Sequence, residues 1–150
     1  MELDDVYIQK RKGLKIIGYR ILCAGEDYII EIPKASRRLA HQFPEEKIQI
    51  GVFIPGACSK DKDGYWIGIE VNEFSSIPEG LVALEIEPQT YAIHTYEGPN
   101  NQIRNTYEKM HGWLHSHGFE RAMEAWHLEV FHRWKDKENL RVELYETLKD

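Results

Sequence analysis

The chain has few cysteines, no long apolar run and no cluster of positive charge. Its 150 residues include only Cys23 and Cys58, which are far apart and lack metal-ligand spacing, so we expect reduced thiols in a cytoplasmic protein. No segment approaches the roughly 18 consecutive apolar residues that suggest a membrane span. The first five residues, MELDD, have neither the basic start nor the apolar stretch of an export signal. We therefore expect no export and no membrane partner.

Clustered basic residues and common catalytic motifs are also absent. The net charge is -6, with 25 acidic and 19 basic residues interspersed along the chain. Direct nucleic-acid binding is not expected, because phosphate contacts require clustered Lys and Arg. The sequence has no Gly-x-Ser-x-Gly elbow, Ser-His-Asp order or phosphate loop. Nothing in it predicts a cofactor.

The apolar residues that are present predict alternating strands and helices. Apolar and β-branched runs predict strands over residues 14–22, 81–86 and 91–96, and period-2 alternation predicts strands over 48–54, 65–71, 126–134 and 140–148. Apolar residues at intervals of three and four predict a helix over 33–43, with Pro33 as its first residue, and a second helix over 103–114. Gly118 is placed to end the second helix in the left-handed conformation, and Gly18 indicates a bulge or close backbone approach inside the first strand.

The order of these elements is strand, helix, strand, strand, and then the same again. Ile17 and Ile93, at the centres of the first strands, are 76 residues apart, and so are Gly68 and Leu144 at the centres of the last ones. This predicts an α+β fold made of duplicated strand-helix-strand-strand units. Such units pair antiparallel sheets about a pseudo-twofold axis, with the helices on one face and a central cleft. The alternative is that the same order arises without duplication.

Residues 1–150 are long enough for one domain with its own core. The duplication divides that domain into approximate halves, residues 1–74 and 75–150. No helix-turn-helix is expected, because the duplicated unit uses the whole length. We therefore expect a stand-alone binding domain rather than a complete regulator.

The last two strands carry two carboxylates and two aromatic rings that we expect on one face. Glu143 and Tyr145 share one side of the last strand, and Glu129 and Phe131 share one side of the strand before it. Such a face is either an ordinary wet sheet surface or the floor of a binding cavity. Further candidates for aromatic walls are Phe53, Trp66 and Tyr91.

Several segments, taken in order, resemble one known family. They are YWIGIEV at 65–71, IPEG at 77–80, YAIHTYEGP at 91–99, Trp-Leu at 113–114 ahead of Gly118, and Glu-Leu-Tyr at 143–145. Together they resemble the gyrase-inhibitor-like (GyrI-like) small-molecule-binding family. This effector-binding domain is also found behind the DNA-binding domains of AraC-type and MerR-type multidrug regulators. The resemblance runs from about Leu14 to the end of the chain.

The resemblance implies a cleft between two half-molecules that takes hydrophobic, often cationic, compounds. In the family, acidic residues on the last two strands can contact the positive charge of the ligand, and Glu129 and Glu143 match those positions. The chain departs from the family pattern in two places. Glu146-Thr147 stands where members often have Ile-Pro, which affects the edge of the cleft, and Ala35-Ser36 stands where the first helix usually has a tryptophan.

Two other kinds of site are open from the residues. Some relatives are hydrolases that use a cleft glutamate and an aromatic hydroxyl, which makes Glu143 and Tyr145 the catalytic candidates if the protein is an enzyme. His111 and His115 are four residues apart on the second predicted helix, with His117 nearby, a spacing that can present two metal ligands. We expect a solvated helix face there and no metal site, because the apolar residues of the helix point elsewhere.

The expected partner is a hydrophobic or cationic small molecule. Three uses of such binding follow from the resemblance: sequestering the compound, sensing it for a partner such as a regulator, or inhibiting a target enzyme such as gyrase.

Overall fold

A computed structural model of the protein describes residue 3, residues 5–56 and residues 59–150, so Cys58 lies outside the described residues. These residues form eight strands and two α-helices. The strands are β1 (Tyr7–Arg11), β2 (Leu14–Ile21), β3 (Gln49–Phe53), β4 (Tyr65–Val71), β5 (Val82–Ile86), β6 (Gln89–Gly98), β7 (His127–Arg133) and β8 (Leu140–Thr147). The helices are α1 (Tyr28–Gln42) and α2 (Ile103–Ser116), each preceded by a short 3-10 turn.

The strands form one sheet in the order β1-β6-β8-β7-β3-β4-β2-β5, and every neighbouring pair is antiparallel. Both helices pack on the same side of this sheet, where Leu39 of α1 and Met110 of α2 join a buried cluster with Ile67 and Leu144. We call this side the helix face. The predicted α+β class is confirmed as an eight-stranded antiparallel sheet with two helices.

The opposite side of the sheet, which we call the second face, has its own apolar cluster. It includes Ile16, Trp66, Tyr91 and Tyr145, each less than a tenth exposed. The predicted alternation of β3 and β4 is confirmed, since Ile50 and Trp66 belong to this face while neighbouring residues turn to the helix face. Both faces of the sheet are therefore apolar in composition, but the helices pack on only one.

Strand β1 was not predicted from the sequence. Its residues, YIQKR, are too polar to show alternation, and four of the five are exposed. It lies at the sheet edge and pairs with β6, with Tyr7 opposite Ile93. Charged residues are common on edge strands because they discourage pairing with other chains. Pairing rather than burial defines this strand.

Helix α1 begins earlier than predicted. It starts at Tyr28, and Pro33 lies inside the helix rather than at its first position. The turn before Pro33 carries Ile29 and Ile32, which line a cavity on the helix face. Pro33 cannot donate a backbone hydrogen bond, but packing of the helix, which buries Ser36 and Leu39, favours the helix in spite of this. The end predicted for α2 is confirmed, because Gly118 has a φ of +78° just beyond it.

Two further features concern close packing and length. The close approach predicted at Gly18 is confirmed, because a Cβ there would lie 2.6 Å from the carbonyl oxygen of Ile67. Neither helix in the described part of the chain is long and apolar enough to cross a membrane.

The strand register overturns one expectation about the last two strands. Glu129 of β7 is paired with Leu144 of β8, and Glu143 is paired with Val130. Directly paired residues project to the same face, so Glu129 lies on the helix face and Glu143 on the second face. The prediction that the two carboxylates share a face is wrong. Alternation fixes which residues of one strand share a face. A shift of one residue in the pairing of two strands moves every side chain of one strand to the other face of the sheet.

Candidate functional site

A cavity of about 840 Å³ opens on the helix face between α1 and α2. Its floor is formed by residues of β3, β4 and β7, and its sides by the first turns of the two helices. Apolar and aromatic side chains make up much of the wall: Tyr28, Ile29, Ile32, Ile67, Phe131 and Trp134. A concave apolar site with a few polar groups is the usual form of a small-molecule site.

Glu129 is the acidic group at the floor of this cavity. Its side chain comes from β7 and is buried, with 8% of the residue exposed. Tyr65 of β4 donates a hydrogen bond from its hydroxyl to Oε1 at 2.5 Å, and Tyr107 of α2 donates one to Oε2 at 2.6 Å. None of the ion pairs found among the described residues includes Glu129. The carboxylate is thus hydrogen-bonded at both oxygens but has no cationic partner there.

Burial sets the protonation behaviour of this group. It raises the pKa of Glu129, although the hydrogen bonds from Tyr107 and Tyr65 act in the opposite direction. Burial and the nearby Glu129 charge raise the pKa of both tyrosines well above the usual value. The two hydroxyls therefore stay protonated and act as donors to the carboxylate.

Gly51 provides the space that lets Tyr65 reach Glu129. It is the residue of β3 paired directly with Glu129. A Cβ added at Gly51 would lie 1.7 Å from the hydroxyl oxygen of Tyr65, a distance that no real contact tolerates. The tyrosine hydroxyl thus crosses above the glycine to the neighbouring strand, and a side chain at this position would displace it.

Aromatic rings surround the carboxylate. Phe53 of β3 stacks on Tyr65 with ring centroids 6.0 Å apart, and Phe131 of β7 is buried two residues beyond Glu129 on the same face. The ring faces carry partial negative charge and can attract a cation. Acid and rings together form a surface suited to a lipophilic positive group.

The structure brings together only part of the set of residues predicted from the sequence. Glu129, Phe131 and Phe53 line the cavity. The other four lie on the second face, away from the cavity: Glu143, Tyr145, Trp66 and Tyr91. Their binding roles stay untested predictions that the geometry of this cavity does not support.

The side chains of these four residues have partners of their own. Glu143 lies 2.5 Å from Nε2 of His132, Trp66 packs edge-on against Trp126, and the Tyr91 and Tyr145 rings meet at 5.2 Å. Burial raises the pKa of Tyr145 to about 12. Glu143 and Tyr145 are therefore occupied outside the cavity, which removes the geometric basis for using them as a catalytic pair there.

Two residues of the site were missed from the sequence, Tyr65 and Tyr107. Tyr107 lies within the helix predicted over 103–114 and Tyr65 begins the strand predicted over 65–71, but neither pattern indicates a binding role. The available signal was that a buried tyrosine hydroxyl needs a hydrogen-bond partner. A tyrosine on a core-facing helix stripe could have pointed to a buried acceptor such as Glu129.

A second buried carboxylate, Glu146, lies under α2. His111 Nε2 lies 2.8 Å from Oε1, His127 Nδ1 lies 3.2 Å from Oε2, and Arg121 Nη1 lies 3.7 Å from Oε2. Burial alone would raise the pKa of Glu146, but hydrogen bonds and charges of the two histidines outweigh it and lower the pKa to about 2. The expected solvated face is wrong for His111, which packs on this acid, whereas His115 and His117 are exposed.

The arrangement around Glu146 does not resemble a metal centre. The guanidinium of Arg121 lies 3.0 Å from Nε2 of His111, where it would repel a metal ion. In the described ranges, no group of three or more His, Cys, Asp or Glu side chains is arranged to hold one.

The comparison with family models gives the identification. Residues 7–146 match the Cass2 model, described as integron-associated effector binding protein. The chain belongs to the Cass2 family. The resemblance to an effector-binding domain family is thereby confirmed over nearly the whole chain.

One curated relative and two solved structures extend the comparison. The transcriptional regulator BrlR of Pseudomonas aeruginosa is 32% identical over 62 residues, which is 39% of this Cass2-family chain and 23% of BrlR. A structure of SAV2435 bound to tetraphenylphosphonium has a TM-score of 0.71 at 15% identity and covers 97% of this chain and 94% of its own. A hydrolase from Listeria innocua has a TM-score of 0.59 at 8% identity, covering 99% and 94%. At such identities the structures show a shared fold.

Proposed function

We propose that the cavity between α1 and α2 captures lipophilic cations, with Glu129 as the counterion. The observation that carries the proposal is a buried carboxylate with two neutral hydrogen-bond donors and no cationic partner among the described residues. A buried charge without a partner costs free energy. A ligand cation would supply the missing charge, so part of the binding energy comes from relieving that cost.

The walls of the cavity fit the rest of such a ligand. Rings at Phe53 and Phe131 and the apolar residues of α1 would bury its hydrocarbon surface, at about 25 cal/mol per Å². A cation close to a ring face gains roughly 0.5–2 kcal/mol more. The effector-binding family and the tetraphenylphosphonium bound to SAV2435, a protein of the same fold, support this ligand class.

The proposal is tested by replacing Glu129 with glutamine and titrating tetraphenylphosphonium and a rhodamine dye. Glu129→Gln keeps the shape of the side chain and removes its charge. We expect affinity for both cations to fall at least about tenfold, equivalent to roughly 1.4 kcal/mol. The measurement is isothermal titration calorimetry for the phosphonium and fluorescence for the dye.

Glu143→Gln is the matched control, because Glu143 is a glutamate on the neighbouring strand but on the second face. The affinity of the Glu143→Gln variant for the same cations should stay within about twofold of that of the parent protein. A solvent-screened charge on the opposite face of the sheet contributes little to binding in the cavity. Equal losses in both variants, or no loss in Glu129→Gln, would refute the assignment of Glu129.

We also propose that residues 1–150 form one domain of two duplicated halves, 1–74 and 75–150. Gly18 pairs with Gly68, and the residues 76 positions later, His94 and Leu144, pair in the same way. The sheet order reads equivalently from both edges, with β7 and β3 meeting at its centre. This agreement supports a pseudo-twofold relation between the halves.

The relation of the effector-binding family to transcription regulators bears on what the protein does with the captured compound. The matched segment spans 23% of the length of BrlR. Sequestering, sensing for a partner regulator, and inhibition of an enzyme such as gyrase remain the three proposed uses. Pull-down with and without a bound phosphonium separates sensing from sequestering. The cytoplasmic location stays a prediction.

Hydrolysis is the second candidate function, and the geometry moves it from Glu143 to Glu129. A carboxylate whose pKa is raised by burial is suited to act as a general base, and the Tyr65 and Tyr107 hydroxyls are neutral donors beside it. The fold shared with a Listeria innocua hydrolase is compatible with this. Turnover of activated esters or cyclopropane-bearing compounds that disappears in Glu129→Gln would establish it.

A further inference from the structure

The cavity wall contains a second polar pair, Ser36 of α1 and Gln49 of β3. Both residues are buried, with 7% and 2% exposed, and both line the cavity. The Ser36 hydroxyl donates to Oε1 of Gln49 at 2.5 Å, and Nε2 of Gln49 donates to the backbone carbonyl of Ser36 at 3.0 Å. The pair therefore holds the carboxamide of Gln49 in a fixed orientation.

These two bonds use only half of the hydrogen-bonding capacity of the carboxamide. A glutamine side chain has two N–H donors and two acceptor lone pairs on its oxygen. One donor and one lone pair are engaged with Ser36, and the side chain has no further partner among the described residues. Buried polar groups are normally satisfied. Because Gln49 lines the cavity, the unused donor and acceptor are the groups that a bound molecule would engage.

The register places this carboxamide at a defined position relative to Glu129. Gln49 is paired with Phe131, and Gly51, two residues along β3, is paired with Glu129. Two residues along a strand span about 7 Å. The Gln49 and Glu129 side chains thus leave the same face from diagonal positions on adjacent strands, and such backbone positions are about 7–8 Å apart, with Phe131 directly opposite Gln49.

We propose that Gln49, oriented by Ser36, is a specificity subsite for a carboxamide-like group on the cationic ligand. The inference rests on the proposed function, because it assumes that the cation lies at Glu129. The preferred ligand is then a lipophilic cation that carries a planar donor-acceptor group about 7–8 Å from its charge, which matches the spacing of the two strand positions. A cation without such a group binds through Glu129 and the rings alone.

A purely structural role for the pair gives different expectations. The Ser36–Gln49 bonds also link α1 to β3, and a link of that kind stabilises the fold without distinguishing one ligand from another. Loss of the link would lower the thermal midpoint and change affinity for all cations by the same factor. A structural role would leave the ratio of affinities for two ligands that differ in one polar group unchanged, so this ratio is the quantity to measure.

The experiment compares two triphenylphosphonium cations with a substituted fourth ring. One carries a para-carbamoyl group and the other a para-isopropyl group, which has similar size and no hydrogen-bonding atom. In the parent protein the carbamoyl compound should bind about five- to tenfold more tightly than the isopropyl compound. In Gln49→Met, which keeps the length of the side chain, the two affinities should become equal. Calorimetric titration measures all four.

The outcomes separate this subsite from the cation site. Glu129→Gln should weaken both phosphonium compounds by the same factor and keep the ratio between them. Equal affinities in the parent protein, or the same loss for both compounds in Gln49→Met, would overturn the subsite while leaving Glu129 in place. If neither compound binds, both the proposed function and the subsite are overturned. Should Gln49→Met fail to fold, the ratio in the parent protein decides alone.

Discussion

Two buried glutamates lie on the helix face in opposite electrostatic surroundings. Glu146 has two histidines and an arginine within 4 Å, and its pKa is lowered to about 2. Glu129 has two tyrosine hydroxyls and no cation among the described residues, and burial raises its pKa. The two acids differ in whether the fold itself balances their charge.

On the proposed function, Glu146 is a structural acid and Glu129 is a binding acid. A buried carboxylate paired with two histidines and an arginine contributes to holding α2 on the sheet, since removing the acid leaves those buried polar groups without their shared partner. A buried carboxylate without a cation, at the floor of a cavity, lowers stability when it is ionised and gains from a ligand of opposite charge. Stability measurements can therefore distinguish the two sites without any ligand.

The largest expected effect is the loss of stability in Glu146→Gln. Removing this charge leaves His111, His127 and Arg121 without their shared acid, which should lower the free energy of unfolding by about 3 kcal/mol. Glu129→Gln is the matched substitution and should leave the free energy of unfolding unchanged or increased, because it removes an unbalanced buried charge. Urea denaturation at pH 7 measures both. Similar losses in the two variants would show that Glu129 is a structural acid too.

The pH dependence of stability sharpens the same comparison. The pKa of Glu146 is lowered from 4.5 to about 2, so its stabilising contribution is complete above about pH 4.5 and is lost as the pH falls towards 2. The pKa of Glu129 is raised, so its protonated form favours the folded protein at low pH. This stabilisation is lost as the pH rises through the pKa of the folded state. We expect Glu146→Gln to lose less stability than the parent protein between pH 4.5 and 2.

Urea midpoints at intervals from pH 2 to pH 6 provide the test. Glu129→Gln serves as the control and should keep the acid-side loss of the parent protein. Parallel curves for Glu146→Gln and the parent protein would contradict the role assigned to the histidines and Arg121.

The smallest effects come from a pair of glycine substitutions. A Cβ at Gly51 would lie 1.7 Å from the Tyr65 hydroxyl, whereas a Cβ at Gly112, inside α2, would have no atom within 4 Å. Gly51→Ala should displace the hydroxyl and weaken phosphonium binding about three- to tenfold, which is within the net contribution of one typical hydrogen bond. Gly112→Ala should leave affinity unchanged and stabilise the protein by about 0.5–1 kcal/mol. Titration and urea denaturation of both variants measure this; equal affinities would remove Gly51 from the site.

Much of the fold could be predicted because alternation and helical spacing are local properties. Within β7, Glu129 and Phe131 share a side as expected, and both reach the cavity. The face of Glu143 could not be predicted, because register between strands depends on pairings far apart in sequence. Strand β1 escaped prediction for a related reason, since pairing with β6 rather than its own pattern orders it.

The hydrogen-bonding partners of the site were also beyond local patterns. Tyr65, Tyr107 and Glu129 come from three separate elements and meet only in the folded sheet. Sequence could indicate that a buried tyrosine hydroxyl needs an acceptor, but not which carboxylate supplies it. The glutamate at 146 was noted only as a departure from a family pattern, and its histidine partners likewise became apparent from the structure.

The most direct test of the central claim is a crystal structure of the complex with tetraphenylarsonium, whose arsenic is located by anomalous scattering. We expect a single strong peak in the cavity between α1 and α2, beside the carboxylate of Glu129. A peak on the second face near Glu143 and Tyr145, or no ordered arsenic in crystals of a complex that forms in solution, would contradict it.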